Sequence, residues 1–166
     1  MNRVSRMGWL AYIIAVFVIV ADQLSKAWIL GPFDLPDRGS VPVLSFLRLT
    51  MIWNPGVSFG LLNAHTEFGR WALVAFETGV AVALAFWARR GDRPVLAAAL
   101  GLVIGGAIGN VIDRAHYGRV ADFIDVSALH FPWVFNLADS AINIGVALLL
   151  WDALIPAKRG ATSGRA

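Results

Sequence analysis

Four apolar runs, each about as long as a lipid bilayer is thick, constrain this chain more than anything else in it. About 20 helical residues cross the roughly 30 Å hydrocarbon layer. Runs of that length cover residues 9–28, 69–88, 94–112 and 137–156. No water is available inside a bilayer, so every backbone N–H and C=O there must be bonded internally, and the spans are expected to be helices. The expected fold class is an all-α membrane protein, a four-transmembrane-helix bundle making one integral domain over residues 1–166. Hydrophobic residues make up 58% of the chain, above the roughly 45–50% usual for soluble domains. Trp9, Trp28, Trp71, Trp87 and Trp151 fall near span ends, where an aromatic belt places them.

The basic residues give an orientation. Arg3 and Arg6 precede the first span, Arg89, Arg90 and Arg93 lie between the second and third, and Lys158, Arg159 and Arg165 follow the fourth. Sequential spans put all three segments on one side, which the positive-inside rule makes cytoplasmic. Both termini are then cytoplasmic, and residues 29–68 and 114–136 face the other side. The pI of about 10.0 is thereby a topology signal and not a nucleic-acid footprint. Arg3, Arg6 and the run from Trp9 to Ala21 also fit a cleavable signal peptide, with Ser25-Lys26-Ala27 as its small-x-small site. Asp22 and Lys26, four apart, pair on one helical face and favour a retained helix. Cleavage would also leave an odd number of spans.

Residues 29–68 are broken by Gly31, Pro32, Pro36, Gly39 and Pro42. From Phe46 to Trp53, Phe46, Arg48 and Thr50 alternate with Leu47, Leu49 and Met51, which predicts a strand or hairpin. Asn54-Pro55-Gly56 reads as a turn.

Polar residues inside the spans carry the functional signal, because a carboxylate there costs roughly 2.5–3.5 kcal/mol on insertion scales. Gly101, Gly105 and Gly109 recur every fourth residue and predict close helix packing. Asn110, Asp113 and Arg114 share a face at the outer end of the same span; a site and an Asp113–Arg114 surface cluster fit that spacing equally. Asn136, Asp139 and Asn143 form a polar stripe on the fourth span, with Asp139 in the first turn, where the helix dipole favours an anion. Glu77, isolated in the second span, either pairs with a basic group or is protonated. Asp122 and Asp125 lie in the last connection, and spacing does not choose between them.

There is no cysteine, and His65, His116 and His130 lack metal-ligand spacing. No phosphate loop occurs. No cofactor or metal is expected. Two aspartates held together share a proton. The charged one can then activate water for attack on a carbonyl, while the neutral one protonates the leaving amine.

Five ordered blocks complete the pattern: Asp22-Gln23-Leu24-Ser25-Lys26, Asn54-Pro55-Gly56-Val57-Ser58-Phe59-Gly60, Gly105 through Arg114, Val120-Ala121-Asp122-Phe123-Ile124-Asp125, and Phe135-Asn136-Leu137-Ala138-Asp139-Ser140-Ala141. Together they resemble the bacterial lipoprotein signal peptidase, or signal peptidase II, family over most of the chain. The resemblance implies an inner-membrane aspartic endopeptidase that cleaves a prolipoprotein before a diacylglyceryl-modified cysteine. It matches Asp122 and Asp139 to the catalytic pair, with Asn54, Asn110, Arg114 and Asn136 around them and Asp22 in support. Lys26 and Gly56, within the first two blocks, are taken as supporting or substrate-binding residues. It further implies a β-rich extracytoplasmic cradle in residues 29–68, a mobile periplasmic helix in 114–136, and an active site near the periplasmic face. The expected partners are the lipidated precursor and membrane lipid, not nucleic acid, and the expected state is a monomer. Two other readings are a small transporter using Asp139 and Glu77, and an assembly protein whose polar stripe is packing glue. A transporter places its acidic residue near the midplane; Asp22, Asp122 and Asp139 map to the outer third.

Overall fold

The computed structural model describes residues 3–56, 66–130 and 133–154. Residues 57–60 of the second block, and Lys158, Arg159 and Arg165, lie outside the described residues.

Among the described residues, four helices are long and apolar enough to cross a membrane: α1 (Arg6–Leu30), α3 (Glu67–Ala88), α4 (Pro94–Tyr117) and α5 (Leu137–Leu154). Their ends follow local chemistry. The Ser5 hydroxyl accepts the Gly8 amide at the start of α1, and Thr66 does the same for Gly69 at the start of α3. Pro94 opens α4, and Gly118, at φ +76°, closes it.

α4 is the hub, packed against α1, α3 and α5. Of its most apolar stretch 67% is buried, against 28% or less in the other three helices. The glycine repeat makes this possible. A Cβ on Gly101 would lie 2.6 Å from the Ala11 carbonyl oxygen, and one on Gly105 2.7 Å from that of Ala15. The expected close packing is therefore what these glycines do, with α1 as the partner. Outward-facing Ile13, Phe17, Leu24, Phe76, Phe86 and Leu150 are exposed, as a lipid-facing girdle requires. The five tryptophans of the expected belt are exposed as well.

Between α1 and α3 lie a one-turn helix, α2 (Leu35–Arg38), and strands β1 (Ser40–Leu44) and β2 (Leu47–Asn54). The strand expected over Phe46–Trp53 thus forms as half of a hairpin. After α4 come β3 (Val120–Asp125), a 3-10 turn (Ser127–Leu129) and β4 (Val134–Phe135). The four strands make one antiparallel sheet in the order β1-β2-β3-β4. In place of a helix expected in 114–136, the described residues after α4 form two strands and a single 3-10 turn. The reason is pairing: Val120-Ala121-Asp122-Phe123 is buried, β3 pairs with β2 along its length and with β4 at Ile124 and Asp125, and Gly118 stops α4 before it.

The two ends of the bundle differ. The Ser5 amide and hydroxyl bond Arg89 O and Gly91 O, and Arg93 pairs with Asp152 at 2.8 Å. The start of α1, the α3–α4 loop and the end of α5 therefore share one end. The sheet, the start of α5 and the end of α4 share the other.

Candidate active site

Asp122 projects from the middle of β3, and Asp139 sits in the first turn of α5. Two asparagines connect them. The Asn136 side-chain oxygen accepts the Asp139 amide at 2.9 Å, capping α5. That fixes which end of the side-chain amide faces inward, so Nδ2 donates to Asp122 Oδ1 at 2.7 Å and to Asn110 Oδ1 at 3.2 Å. With its oxygen occupied, Asn110 turns its own Nδ2 to Asp139 Oδ1 at 2.8 Å. The second oxygen of Asp122 accepts from Asn54 Nδ2 at 2.9 Å. Asn54 is oriented in turn by Gly56, whose amide bonds its Oδ1 at 2.9 Å. Gly56 sits at φ +107°, a backbone state that favours glycine. The turn expected at Asn54-Pro55-Gly56 thus also aims the asparagine.

Asp122 is 2% exposed. Burial drives its carboxyl proton affinity up, to a pKa of about 6, and the negative charge of Asp139 pushes the same way. Hydrogen bonds from Asn54 and Asn136, and the Lys26 charge, oppose the rise.

Asp125 lies elsewhere. Its carboxylate accepts from Thr50 at 2.7 Å and from the Ser127 amide at 2.9 Å. Those bonds hold its pKa below the usual carboxylate value. An odd separation along a strand sends Asp122 and Asp125 to opposite faces. Geometry separates the two: Asp122 joins the asparagine network, and Asp125 ties β3 to β2.

Arg114 is 7% exposed, and its Nη1 reaches Glu77 Oε2 at 3.0 Å. Its carbonyl oxygen is held by Arg70 Nε at 2.8 Å. Among the described residues its Nε is a buried donor without a partner. The surface cluster of Asp113 with Arg114 does not form, because both side chains point inward to different partners. Asp113 instead meets Lys26, whose ammonium lies 2.9 Å from Asp113 Oδ2 and 2.7 Å from Asp22 Oδ2.

Asn143 continues the expected stripe on the Asp139 side of α5. It is exposed, and with Trp133, Phe135, Asp139, Ser140 and Ile144 it lines a cavity of about 470 Å³. The stripe therefore runs from the buried network into an open, mostly apolar recess beside Asp139.

Three residues here were not among the expected site residues: Asp113, Gln23 and Glu77. Asp113 carried a signal, since Asn110-x-x-Asp113 on α4 is matched by Asp22-x-x-x-Lys26 on α1. Only the contact between those helices shows that the two patterns lie at one depth. Glu77 does pair with a basic group, Arg114, 37 residues away.

The family model described as Signal peptidase (SPase) II matches residues 14–155. A lipoprotein signal peptidase of Caulobacter vibrioides is 53% identical over 153 residues, covering 92% of this chain and 90% of the relative. One from Methylocella silvestris is 41% identical over 157 residues, covering 94% and 92%. A bacterial membrane enzyme solved by the in meso method at 2.3 Å superposes with a TM-score of 0.78 at 28% identity, covering 100% of this chain and 99% of that one. A second, at 1.9 Å, gives 0.77 at 30% identity, covering 95% and 99%. With four membrane-crossing helices, a small antiparallel sheet and a family match along most of its length, this multi-pass bacterial membrane protein belongs to the signal peptidase II family.

Proposed function

We propose that this chain is the aspartic endopeptidase that removes signal peptides from diacylglyceryl-modified prolipoproteins, with Asp122 and Asp139 as its catalytic pair. The observation that carries the reading is the asparagine relay between the two carboxyl groups. It holds two acids from different elements around one point and gives each a neutral amide donor.

The pair holds one proton in the active state. The charged carboxylate takes a proton from water, and the oxygen attacks the scissile carbonyl carbon. The other carboxyl hydrogen-bonds the carbonyl oxygen as it gains charge. When the tetrahedral intermediate collapses, the C–N bond breaks and a proton passes from the pair to the leaving amine. The proton is shared, so neither acid is assigned it permanently. Asn54, Asn110 and Asn136 hold the acids, and Arg114 faces the developing charge. Asp22, Lys26 and Gly56 act behind this layer.

The basic end of the bundle is cytoplasmic, which puts the sheet and the acid pair at the periplasmic face of the inner membrane. The sheet is the extracytoplasmic cradle. The recess beside Asp139, walled by Trp133, Phe135 and Ile144, suits a peptide that arrives from lipid carrying acyl chains. The chain acts as one domain and as a monomer.

The test is cleavage of a diacylglyceryl-modified precursor by wild type, Asp122→Asn and Asp139→Asn in matched membranes. Either change abolishes cleavage while the protein still folds. Full cleavage by either variant overturns the assignment.

A further inference from the structure

Behind the two aspartates lies a second polar cluster that the reaction itself does not use. Lys26 is 2% exposed, and Asp22 and Asp113 are both 0% exposed. Gln23 Nε2 bridges them, at 3.1 Å from Asp22 Oδ2, 3.0 Å from Asp113 Oδ1 and 3.2 Å from the Gly109 carbonyl oxygen. One ammonium facing two buried carboxyl groups leaves acceptor capacity that must find donors. Two backbone amides supply it. The Ala121 amide donates to Asp113 Oδ2 at 3.1 Å, and the Ala138 amide donates to Asp22 Oδ1 at 3.0 Å.

The identity of those amides is the point. Ala121 immediately precedes Asp122, and Ala138 immediately precedes Asp139. The Ala138 amide belongs to the first turn of α5, where no intrahelical acceptor exists, and it is capped from α1. A cluster that merely glued α1 to α4 needs neither bond. Gly109 permits the approach, since a Cβ there would lie 2.7 Å from Asp22 Oδ2.

We propose that Asp22, Gln23, Lys26 and Asp113 form a clamp that sets the separation of Asp122 and Asp139 by gripping the backbone just before each. Asp113 and Gln23 thereby become positioning residues, and Asp22 and Lys26 gain a defined task. The proposal rests on the catalytic reading of Asp122 and Asp139. Displacing either backbone strips a donor from a buried carboxyl group, so the cluster resists the motion. A misplacement of about 1 Å in a catalytic group costs on the order of 100-fold in rate.

The test uses the full chain, a lipidated precursor and three variants. Asp113→Ala removes the acceptor for Ala121 and lowers kcat by about 100-fold with KM little changed. Asp113→Asn keeps an acceptor oxygen and retains more kcat than Asp113→Ala. Amide hydrogen exchange gives the readout that a general loss of stability would not. In Asp113→Ala, protection falls in the peptide around Ala121 before it falls along α4. Where Asp113→Ala does not fold, Gln23→Leu decides, with a smaller kcat loss and the same local deprotection. Wild-type kcat in the folded variant, or protection lost evenly along α4, overturns the clamp. Cleavage by Asp122→Asn or Asp139→Asn instead overturns the catalytic reading beneath it. Those two variants inactive beside a fully active Asp113→Ala reject the clamp alone.

Discussion

Asn136 donates to Asp122 across 2.7 Å while its own side-chain oxygen caps the helix that carries Asp139. One side chain thus joins the strand acid to the helix acid, and it is 0% exposed. Replacing it removes a donor from one carboxyl group and a cap from the helix of the other. Asn136→Ala is expected to lower kcat by roughly 100- to 1,000-fold, as loss of a preorganised donor does elsewhere. Loss of the cap costs about 1 kcal/mol of stability in addition. Cleavage kinetics and an unfolding curve in detergent measure the two separately.

The raised pKa of Asp122 gives a pH signature. In the free enzyme Asp122 loses its proton as pH rises through about 6. The alkaline limb of kcat/KM is expected there. Bound substrate excludes water and deepens the burial, so the limb of kcat lies at higher pH. Stability follows the same sign. The folded-state pKa of Asp122 exceeds its ordinary value of 3.8, so its contribution is full below 3.8 and is lost as pH rises through about 6. Unfolding midpoints across that window should fall more steeply for wild type than for Asp122→Asn.

Two glycines are expected to respond oppositely to the same substitution. At Gly105 a Cβ would meet the Ala15 carbonyl oxygen at 2.7 Å, so Gly105→Ala must push α1 from α4. Overpacking of this kind costs about 1–3 kcal/mol. At Gly79, in the middle of α3, a Cβ meets nothing within 4 Å. Gly79→Ala should gain up to about 1 kcal/mol from helix propensity. Thermal unfolding of both variants beside wild type checks the contrast.

The Arg114–Glu77 pair predicts a cost for breaking one side and a recovery for removing both. Glu77→Ala strands a buried guanidinium. Breaking a fully buried pair costs roughly 3–5 kcal/mol. The loss here should be smaller, because the Glu77 side chain is 23% exposed. Combining Glu77→Ala with Arg114→Met should restore part of the stability and none of the activity. A double-mutant cycle on unfolding, with cleavage measured alongside, separates the two roles.

The sequence shows its architecture openly. Hydropathy locates four helices, because the length of a span is set by the bilayer and not by its neighbours. Charge groups three segments that the structure places, where described, at one end. The glycine repeat announces a close helix contact without naming the partner, which is α1. Asp139 stands out because an acid at an apolar helix start is conspicuous on its own. Asp122 does not stand out. Its neighbour Asp125 is chemically identical, and only strand pairing shows that one faces the relay and the other the sheet.

What the sequence determined by itself was therefore everything periodic and local: spans, their ends, the hairpin and the polar face of α5. Tertiary structure alone decided the partnerships. Asp113 meets Lys26, Glu77 meets Arg114, and Asn136 meets Asp122, across separations that no local pattern encodes. The physical reason is that a buried polar group must find its partner in space. In this protein that partner lies on another helix or strand, brought near by apolar and glycine contacts rather than by the polar residues themselves.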